Sequence, residues 1–278
     1  MKFTKMHGLG NDYIYINCFT ETVAQPNNLA ISMSDRHFGV GGDGIVLIMP
    51  SEIADARMRM FNADGSEAEM CGNAIRCVGK YLYDRGIVPK QELTIETKAG
   101  IKKLQLTLDG STAILVRVDM GEPVLQSDVI PVTGEPRRIV GEPVAAAGHE
   151  YRYTAVSMGN PHAVIFVPEI TDDQVLKDGP LLEVHPFFPK KINVEFVTVL
   201  SKELLQMRVW ERGSGETLAC GTGASATVVA AVLNQLTGRR VTVKLLGGDL
   251  IIEWDETTNH VFMTGPAVEV FDGEYKVG

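Results

Sequence analysis

The sequence predicts an α/β protein of the α+β type made of two pseudo-symmetric halves, and three observations predict it. First, a single gapless shift of 149 residues carries Gly10-Asn11 onto Gly159-Asn160, Met58-Arg59 onto Met207-Arg208, and Cys71-Gly72 onto Cys220-Gly221. A fixed offset that aligns a turn, a strand and a helix start is the mark of an internal duplication. Second, β-branched and aromatic runs punctuated by glycine turns dominate the chain, while helical periodicity is confined to a few stretches. Third, 278 residues suffice for two domains that each bury a core of their own.

The chain is organised around Trp210 to Gly223, which delivers Cys220 and two glycines into a run of small apolar residues from Ala224 to Leu236. Such a cysteine stands at a helix start, where unpaired N–H groups and the helix dipole favour a thiolate and can also hold a carboxylate. Cys71-Gly72-Asn73 is its upstream copy. On this ground alone, both thiols are expected to ionise more readily than an ordinary cysteine.

Composition narrows the partners. With 26 Lys and Arg against 35 Asp and Glu, a net charge of −9, and no basic block longer than Arg239-Arg240, the composition argues against a nucleic-acid surface. A small-molecule partner is expected. No apolar run has the length of a membrane span, and Met1-Lys2-Phe3-Thr4-Lys5 opens no signal-peptide core, so a soluble intracellular protein is expected. Four cysteines without a Cys-x-x-Cys pair make neither a disulfide scaffold nor a zinc or thioredoxin-like site.

Taken in order, residues 3–6 and 13–16 read as strands around the turn Gly8-Leu9-Gly10-Asn11-Asp12, and Cys18 closes the second as a small packed hydrophobe. Asn11 is either a turn former or a ligand contact, and its match to Asn160 favours contact. Residues 30–37 read as a short helix. Gly39-Val40-Gly41-Gly42-Asp43-Gly44 fits a dinucleotide-type glycine pattern, but it precedes the strand 45–48, whereas a phosphate loop lies between a strand and a helix. Residues 56–61 form a strand, 62–66 a loop, and the helix from Gly72 to about Gly86 buries Ile75, Val78 and Leu82 on one stripe, with Cys77 structural. Strands fill 92–118 around a turn at Asp109-Gly110, and the Pro- and Gly-rich 124–148 is the crossover.

The second half repeats this plan. Strands at 153–156 and 163–167 flank Gly159-Asn160-Pro161-His162, a short helix lies within 172–182, and Asn193-Val194-Glu195-Phe196-Val197 is the strand equivalent to 44–48. A hairpin spans 241–254. Met263-Thr264-Gly265-Pro266 echoes Met120-Gly121-Glu122-Pro123, so the last residues fold back onto the first half.

Two thiols at equivalent helix starts suit a definite reaction. A carbon acid held between them loses its proton to one sulfur and gains another from the opposite face, which inverts the centre without a cofactor. An ordinary cysteine, with a pKa of about 8.5, needs little adjustment for one thiolate and one thiol to coexist near neutrality. The amides of Gly72-Asn73 and Gly221-Thr222 can hold an α-carboxylate and the charge that develops on it. Arg212 can fork onto a carboxylate, Glu211 can pair an ammonium, and Asn11, Asn62, Asn160 and Asn193 can orient either. Buried inert cysteines are the common case, and the equivalent placement argues against it. A redox role lacks a Cys-x-x-Cys partner, although thiols that face one another could form an inactivating disulfide.

The combination His7 to Tyr13, Asp35-Arg36-His37 with Gly39 to Gly44, Phe61 to Ser66, Cys71-Gly72-Asn73, Gly159 to His162, Asn193 to Val197 and Trp210 to Gly223 resembles the diaminopimelate epimerase family, in the family's order along nearly the whole chain. The resemblance implies conversion of L,L-2,6-diaminopimelate to the meso form in lysine and cell-wall precursor synthesis, with no pyridoxal phosphate or metal. It implies Cys71 and Cys220 as the catalytic pair, and substrate contacts from Asn11, Asn62, Gly72, Asn73, Asn160, Asn193, Glu211, Arg212, Gly221 and Thr222. His162 and Glu211 match residues that tune the thiols. It further implies a cytoplasmic homodimer whose halves each wrap a curved, mostly antiparallel sheet around a central helix, the first comprising 1–119 and 265–278, the second 120–264, with the active site in the cleft between them. Some family members carry Gln at the position of Gly44, so a side-chain contact from there is absent here. A proline racemase-type relative, indifferent to loss of Arg212, and a non-catalytic diamino-acid binder are the alternatives. The Asn set with Arg212 suits a long substrate with a second amino-acid end.

Overall fold

The computed structural model describes residues 1–276. The two C-terminal residues of the expected 265–278 segment, 277 and 278, lie outside the described residues. The chain divides into two compact units, Met1–Asp119 with Thr264–Gly278, and Met120–Met263. Both are sheet-rich with a buried helix, as the α+β class requires.

In the first unit, β1 (Lys2–Gly8) and β2 (Asn11–Asn17) form a hairpin, followed by α1 (Pro26–Ser34), β3 (Gly44–Met49), β4 (Ala56–Asn62), the two-residue β5 (Glu67–Ala68), α2 (Gly72–Asp84), β6 (Glu92–Thr97), β7 (Gly100–Asp109) and β8 (Thr112–Gly121). Strand β2 runs parallel to β3, β3 antiparallel to β4, and β4 parallel to β6, which continues antiparallel through β7 to β8. Period-2 alternation divides the side chains between two faces. Ile14, Ile16, Ile45 and Leu47 join Leu29, Ala30 and Met33 of α1 in one cluster, while the hydroxyl of Tyr15 reaches back to the Ala74 carbonyl of α2. Both faces being covered, β2 and β3 read as nearly continuous apolar runs.

The second unit contains β9 (Glu142–Ala146), β10 (His149–Ser157), β11 (Pro161–Phe166), a π-helical turn (Gln174–Asp178), α3 (Gly179–Glu183), β12 (Asn193–Ser201), β13 (Leu204–Glu211), β14 (Gly215–Glu216), α4 (Gly221–Leu233), β15 (Arg240–Leu245) and β16 (Gly248–Trp254), and β17 (Val261–Gly265) and β18 (Val268–Glu274) complete the chain. The duplication extends to residue register. Tyr13 opposes Gly44 and His162 opposes Asn193 in the two parallel pairs; Ile45 opposes Phe61 and Val194 opposes Trp210 in the antiparallel ones. Every one of these positions is displaced by 149. Helices α2 and α4 are both 13 residues long at the same offset. After them the offset is 148, as between Gly100 and Gly248, so the second copy lacks one residue in the helix-to-strand turn.

Helix α4 is apolar almost all round. Gly221 and every residue from Gly223 to Ala231 are buried, and its small side chains let β10, β11, β12, β15 and β16 pack closely. Helix α2 is amphipathic, with Ile75, Val78 and Leu82 fully buried as its spacing predicts. Lys80, on the same helix, is neutralised by Asp84 at 2.6 Å and donates to the Ala113 carbonyl at 2.7 Å.

Three local expectations are corrected. The helix expected at 30–37 spans Pro26–Ser34, because Pro26 supplies a pre-set N1 residue and Asp35 turns extended at ψ 121. The crossover 124–148 contains β9, which forms a hairpin with β10 through Ala147 and Gly148, both at positive φ. The helix expected within 172–182 is a π-helical turn followed by the short α3. In the first unit, β18 pairs antiparallel with β1, and Met1 and Tyr275 exchange backbone hydrogen bonds.

Gly44 lies where β3 meets β4, and a Cβ there would come 2.0 Å from the Phe61 carbonyl oxygen. Gly44→Ala is therefore expected to force the strand pair apart and cost about 2 kcal/mol or more, which thermal denaturation would record as a drop in Tm of several degrees, roughly 2–4 °C per kcal/mol.

Candidate active site

Each unit presents a cysteine as the N-cap of its buried helix. Cys71 has φ −137 and ψ 124, Cys220 has φ −117 and ψ 107, and each carbonyl accepts the first helical N–H, from Ile75 at 3.0 Å and from Ala224 at 2.9 Å. An extended N-cap aims its side chain past the first turn, beside the amides that the helix itself leaves unpaired. The glycines after each cysteine keep those amides uncovered.

In the first unit, Cys71, Asn11 and Asn73 come together. The Cys71 thiol donates to Asn11 Oδ1 at 3.4 Å, and Asn73 Nδ2 donates to the same oxygen at 3.4 Å. The Asn11 Nδ2 faces the other way and donates to Asp43 Oδ2 at 2.7 Å. Asn62, at the end of β4, donates from Nδ2 to Ser66 Oγ at 3.0 Å. A fully buried Arg76 lies one turn into α2 and donates to the Gly72 carbonyl at 3.1 Å.

In the second unit, Cys220 is 5 % exposed. Its sulfur accepts from Gly223 N–H at 3.4 Å and lies 3.5 Å from Thr222 Oγ1. His162 is fully enclosed between two oxygens, with Nδ1 2.6 Å from Glu195 Oε1 and Nε2 3.0 Å from Asn160 Oδ1. Asn193 donates to the Pro161 carbonyl at 2.7 Å and accepts from Arg212 N–H at 2.9 Å, which couples the start of β12 to the end of β13. The Arg212 guanidinium is exposed and donates to the Lys190 carbonyl at 3.3 Å. Glu211 accepts from Thr217 Oγ1 at 2.5 Å.

The expectation that the helix start lowers both thiol pKa values fails at Cys220. Burial pushes this thiol well up, the carboxylates of Glu211 and Glu195 push it further, and the Thr222 and Gly223 donors offset only part of the rise. Desolvation outweighs the dipole because the sulfur has almost no contact with solvent. Cys77, fully buried on α2, and the half-buried Cys18 are each pushed up to about 11, chiefly by burial.

Two residues outside the expected set belong to these constellations. Glu195 is fully buried, its pKa is raised by burial, and its Oε2 has no hydrogen-bond partner among the described residues. A Cβ on Gly223 would sit 2.8 Å from Glu195 Oε1 and 3.2 Å from Cys220 Sγ, so the carboxylate and the thiol are neighbours across a glycine. The available signal was a carboxylate at the centre of an apolar strand. Asp43 is the other, hidden in the glycine-rich hexapeptide. Among the described residues no cluster of three or more His, Cys, Asp and Glu side chains could hold a metal ion, and no helix is long and apolar enough to cross a membrane.

Comparison with known proteins finds this fold, two sheet-rich units each with a buried helix, in solved structures of distant sequence. A probable proline racemase from Agrobacterium radiobacter superposes with TM-score 0.74 at 15% identity over 100% of this chain and 93% of that one, and a PhzF-family phenazine biosynthesis protein from Bacillus anthracis with 0.73 at 17% over 100% and 99%. Residues 3–126 and 154–270 match the family profile of diaminopimelate epimerase. The diaminopimelate epimerase of Acetivibrio thermocellus is 63% identical across 99% of this chain and 98% of its own, and that of Methanococcus maripaludis strain C5 is 56% identical across the full length of both. The chain belongs to the diaminopimelate epimerase family and is an isomerase.

Because its pKa is raised, Cys220 in the substrate-free protein is expected to remain a thiol at neutral pH and to react with iodoacetamide only as the pH climbs into the alkaline range. Glu211→Gln removes one of the charges that raise it, and the midpoint of the labelling curve at the Cys220 peptide should move to lower pH, with Cys18 as the internal reference.

Proposed function

We propose that this chain interconverts L,L- and meso-2,6-diaminopimelate by cofactor-free proton transfer between Cys71, Cys220 and the α-carbon, as a step of lysine and peptidoglycan precursor synthesis in the cytoplasm. The observation that carries this reading is the appearance of a cysteine as N-cap of the buried helix in both copies of a duplicated unit, together with membership of the family.

The chemistry follows from the groups available. One sulfur, as thiolate, takes the α-proton; the electron pair of the broken C–H bond delocalises into the α-carboxylate; the other sulfur delivers its proton to the opposite face. The two sulfurs finish with their protonation states exchanged. Such a reaction requires that both reach one α-carbon, and the first-turn amides of Gly72-Asn73 and Gly221-Thr222 are the donors assigned to the charge that builds on the carboxylate. Asn11, Asn62, Asn160, Asn193 and Arg212 supply amide and guanidinium contacts for the two amino-acid ends, which suits a long diacid over a cyclic substrate.

Glu211 links binding to chemistry. While unpaired with substrate, its charge helps to keep Cys220 protonated. A substrate ammonium beside Glu211 cancels that charge, so binding itself makes the thiol easier to ionise. His162, held by Glu195 and Asn160, tunes the same sulfur. The working form is assigned as a homodimer.

The test is proton NMR of L,L-diaminopimelate in heavy water with the reduced protein. Loss of the α-proton signal with appearance of the meso isomer is the expected outcome; proline exchanging in its place would overturn the substrate, and tight binding without exchange would overturn catalysis. Cys71→Ala and Cys220→Ala are each expected to lower turnover by roughly 10²–10⁴-fold, in line with loss of a general acid or base, and full activity in either would sink the two-base assignment.

A further inference from the structure

The two equivalent asparagines, Asn11 and Asn160, are held by unlike partners. Asn160 Oδ1 faces a ring nitrogen of His162. Asn11 instead gives its Nδ2 to Asp43, whose Oδ2 also accepts Asp12 N–H at 3.0 Å. Asp43 is itself fixed on every side: Oδ1 pairs with Arg36 at 3.0 Å, its N–H donates to the Asp12 carbonyl at 2.7 Å, and its carbonyl accepts Ala63 N–H at 2.9 Å. At the offset position of the second unit stands Ile192, fully buried and without a polar side chain.

A carboxylate has no proton to give, so it admits only the NH₂ side of the Asn11 amide. Flipping that amide would set carbonyl oxygen against carboxylate. The Oδ1 is thereby fixed toward the start of α2, where it accepts the Cys71 thiol at 3.4 Å. A carbonyl oxygen stabilises an S–H donor and opposes a thiolate. Ionised Cys71 would be better served by the NH₂ side, which the amide can present only by giving up Asp43.

We propose that Asp43 is a positioning residue which, through Asn11, holds Cys71 as a hydrogen-bond donor in the substrate-free protein. This rests on the reading of Cys71 as a reacting thiol and adds to it a group outside the catalytic pair that ties the protonation of one sulfur to the orientation of a substrate-contacting amide. The glycine-rich hexapeptide before β3 then has a role: it is the loop that carries the carboxylate under Asn11. Titratable groups around Cys71 include Arg76 and Cys77 on α2 and Tyr15 on β2, and Asp43 shares Arg36 with Asp12, which also pairs with Lys5. None is altered by the test.

The experiment is the pH dependence of iodoacetamide labelling at the Cys71 peptide, read by mass spectrometry on the folded, substrate-free protein. Asp43→Asn is nearly isosteric and lets the Asn11 amide turn; the Cys71 midpoint is expected to fall by about one pH unit, or about tenfold more thiolate at neutral pH. An unchanged or higher midpoint overturns the proposal. Loss of a negative charge through space would also lower the midpoint, so the same substitution is made in an Asn11→Ala background. There the relay predicts no further change from Asp43→Asn, and an undiminished shift overturns the relay. Asn11→Ala alone, which removes the carbonyl oxygen and admits water, is expected to lower the midpoint even if Asp43→Asn fails to fold, and no shift in it counts against the proposal. Labelling needs no substrate, so an Asp43-dependent Cys71 in a protein that exchanges no α-proton would sink the epimerase reading while the Asp43–Asn11–Cys71 relay stood, and an Asp43-independent Cys71 in a protein that does exchange it would sink the relay alone.

Discussion

The constraint on which the structure depends is a cysteine in extended backbone conformation at the first cap of a helix whose opening turn is buried. Capping of this kind leaves several N–H donors pointing the same way as the sulfur. In α2 and α4 the neighbours that make this possible are small: Gly72, then Gly221 and Gly223. The sheet around each helix supplies the burial, and burial is what raises both the strength of any charge interaction there and the cost of an unpaired ion.

The two copies share this scaffold but diverge in the charges placed around it. Cys220 sits among Glu195, Glu211 and His162. At the offset positions in the first unit stand Val46, Asn62 and Tyr13, and the helix bears a buried arginine where α4 has Ser225. Ser225 Oγ and Arg76 Nη1 make the same hydrogen bond, to the carbonyls of Gly221 and Gly72. The backbone pattern was kept while the electrostatics around each thiol diverged.

Much of the fold was legible because duplication writes register into sequence: one offset placed β3 against β12 and α2 against α4. Boundaries were less legible where a single residue decides them, as Pro26 does for α1, and β9 was invisible among prolines and glycines because its partner lies beyond the Ala147-Gly148 turn. In the site, residue types that bear chemistry at helix starts could be read directly. The sign of the Cys220 shift could not, since it depends on how completely a sheet closes over the sulfur. Glu195 was in view as part of a strand, and period 2 puts it on the α4 face with Val194 and Phe196 on the other; its significance emerges only when Gly223 is seen to make room for it.

The pairing of β1 with β18 sets an order of events during synthesis. In the second unit β10, the counterpart of β1 at the 149-residue offset, finds its outer neighbour, β9, across a two-residue hairpin, a contact available within moments of emergence from the ribosome. In the first unit β1 waits for Val268–Glu274, and the hydrogen bonds between Met1 and Tyr275 close over almost the full length of the chain. Contacts of such separation form late. The unit whose synthesis begins first therefore waits for a strand made after the whole of the second unit, and until Val268–Glu274 is available it carries an unpaired strand edge that a nascent chain must keep from other chains.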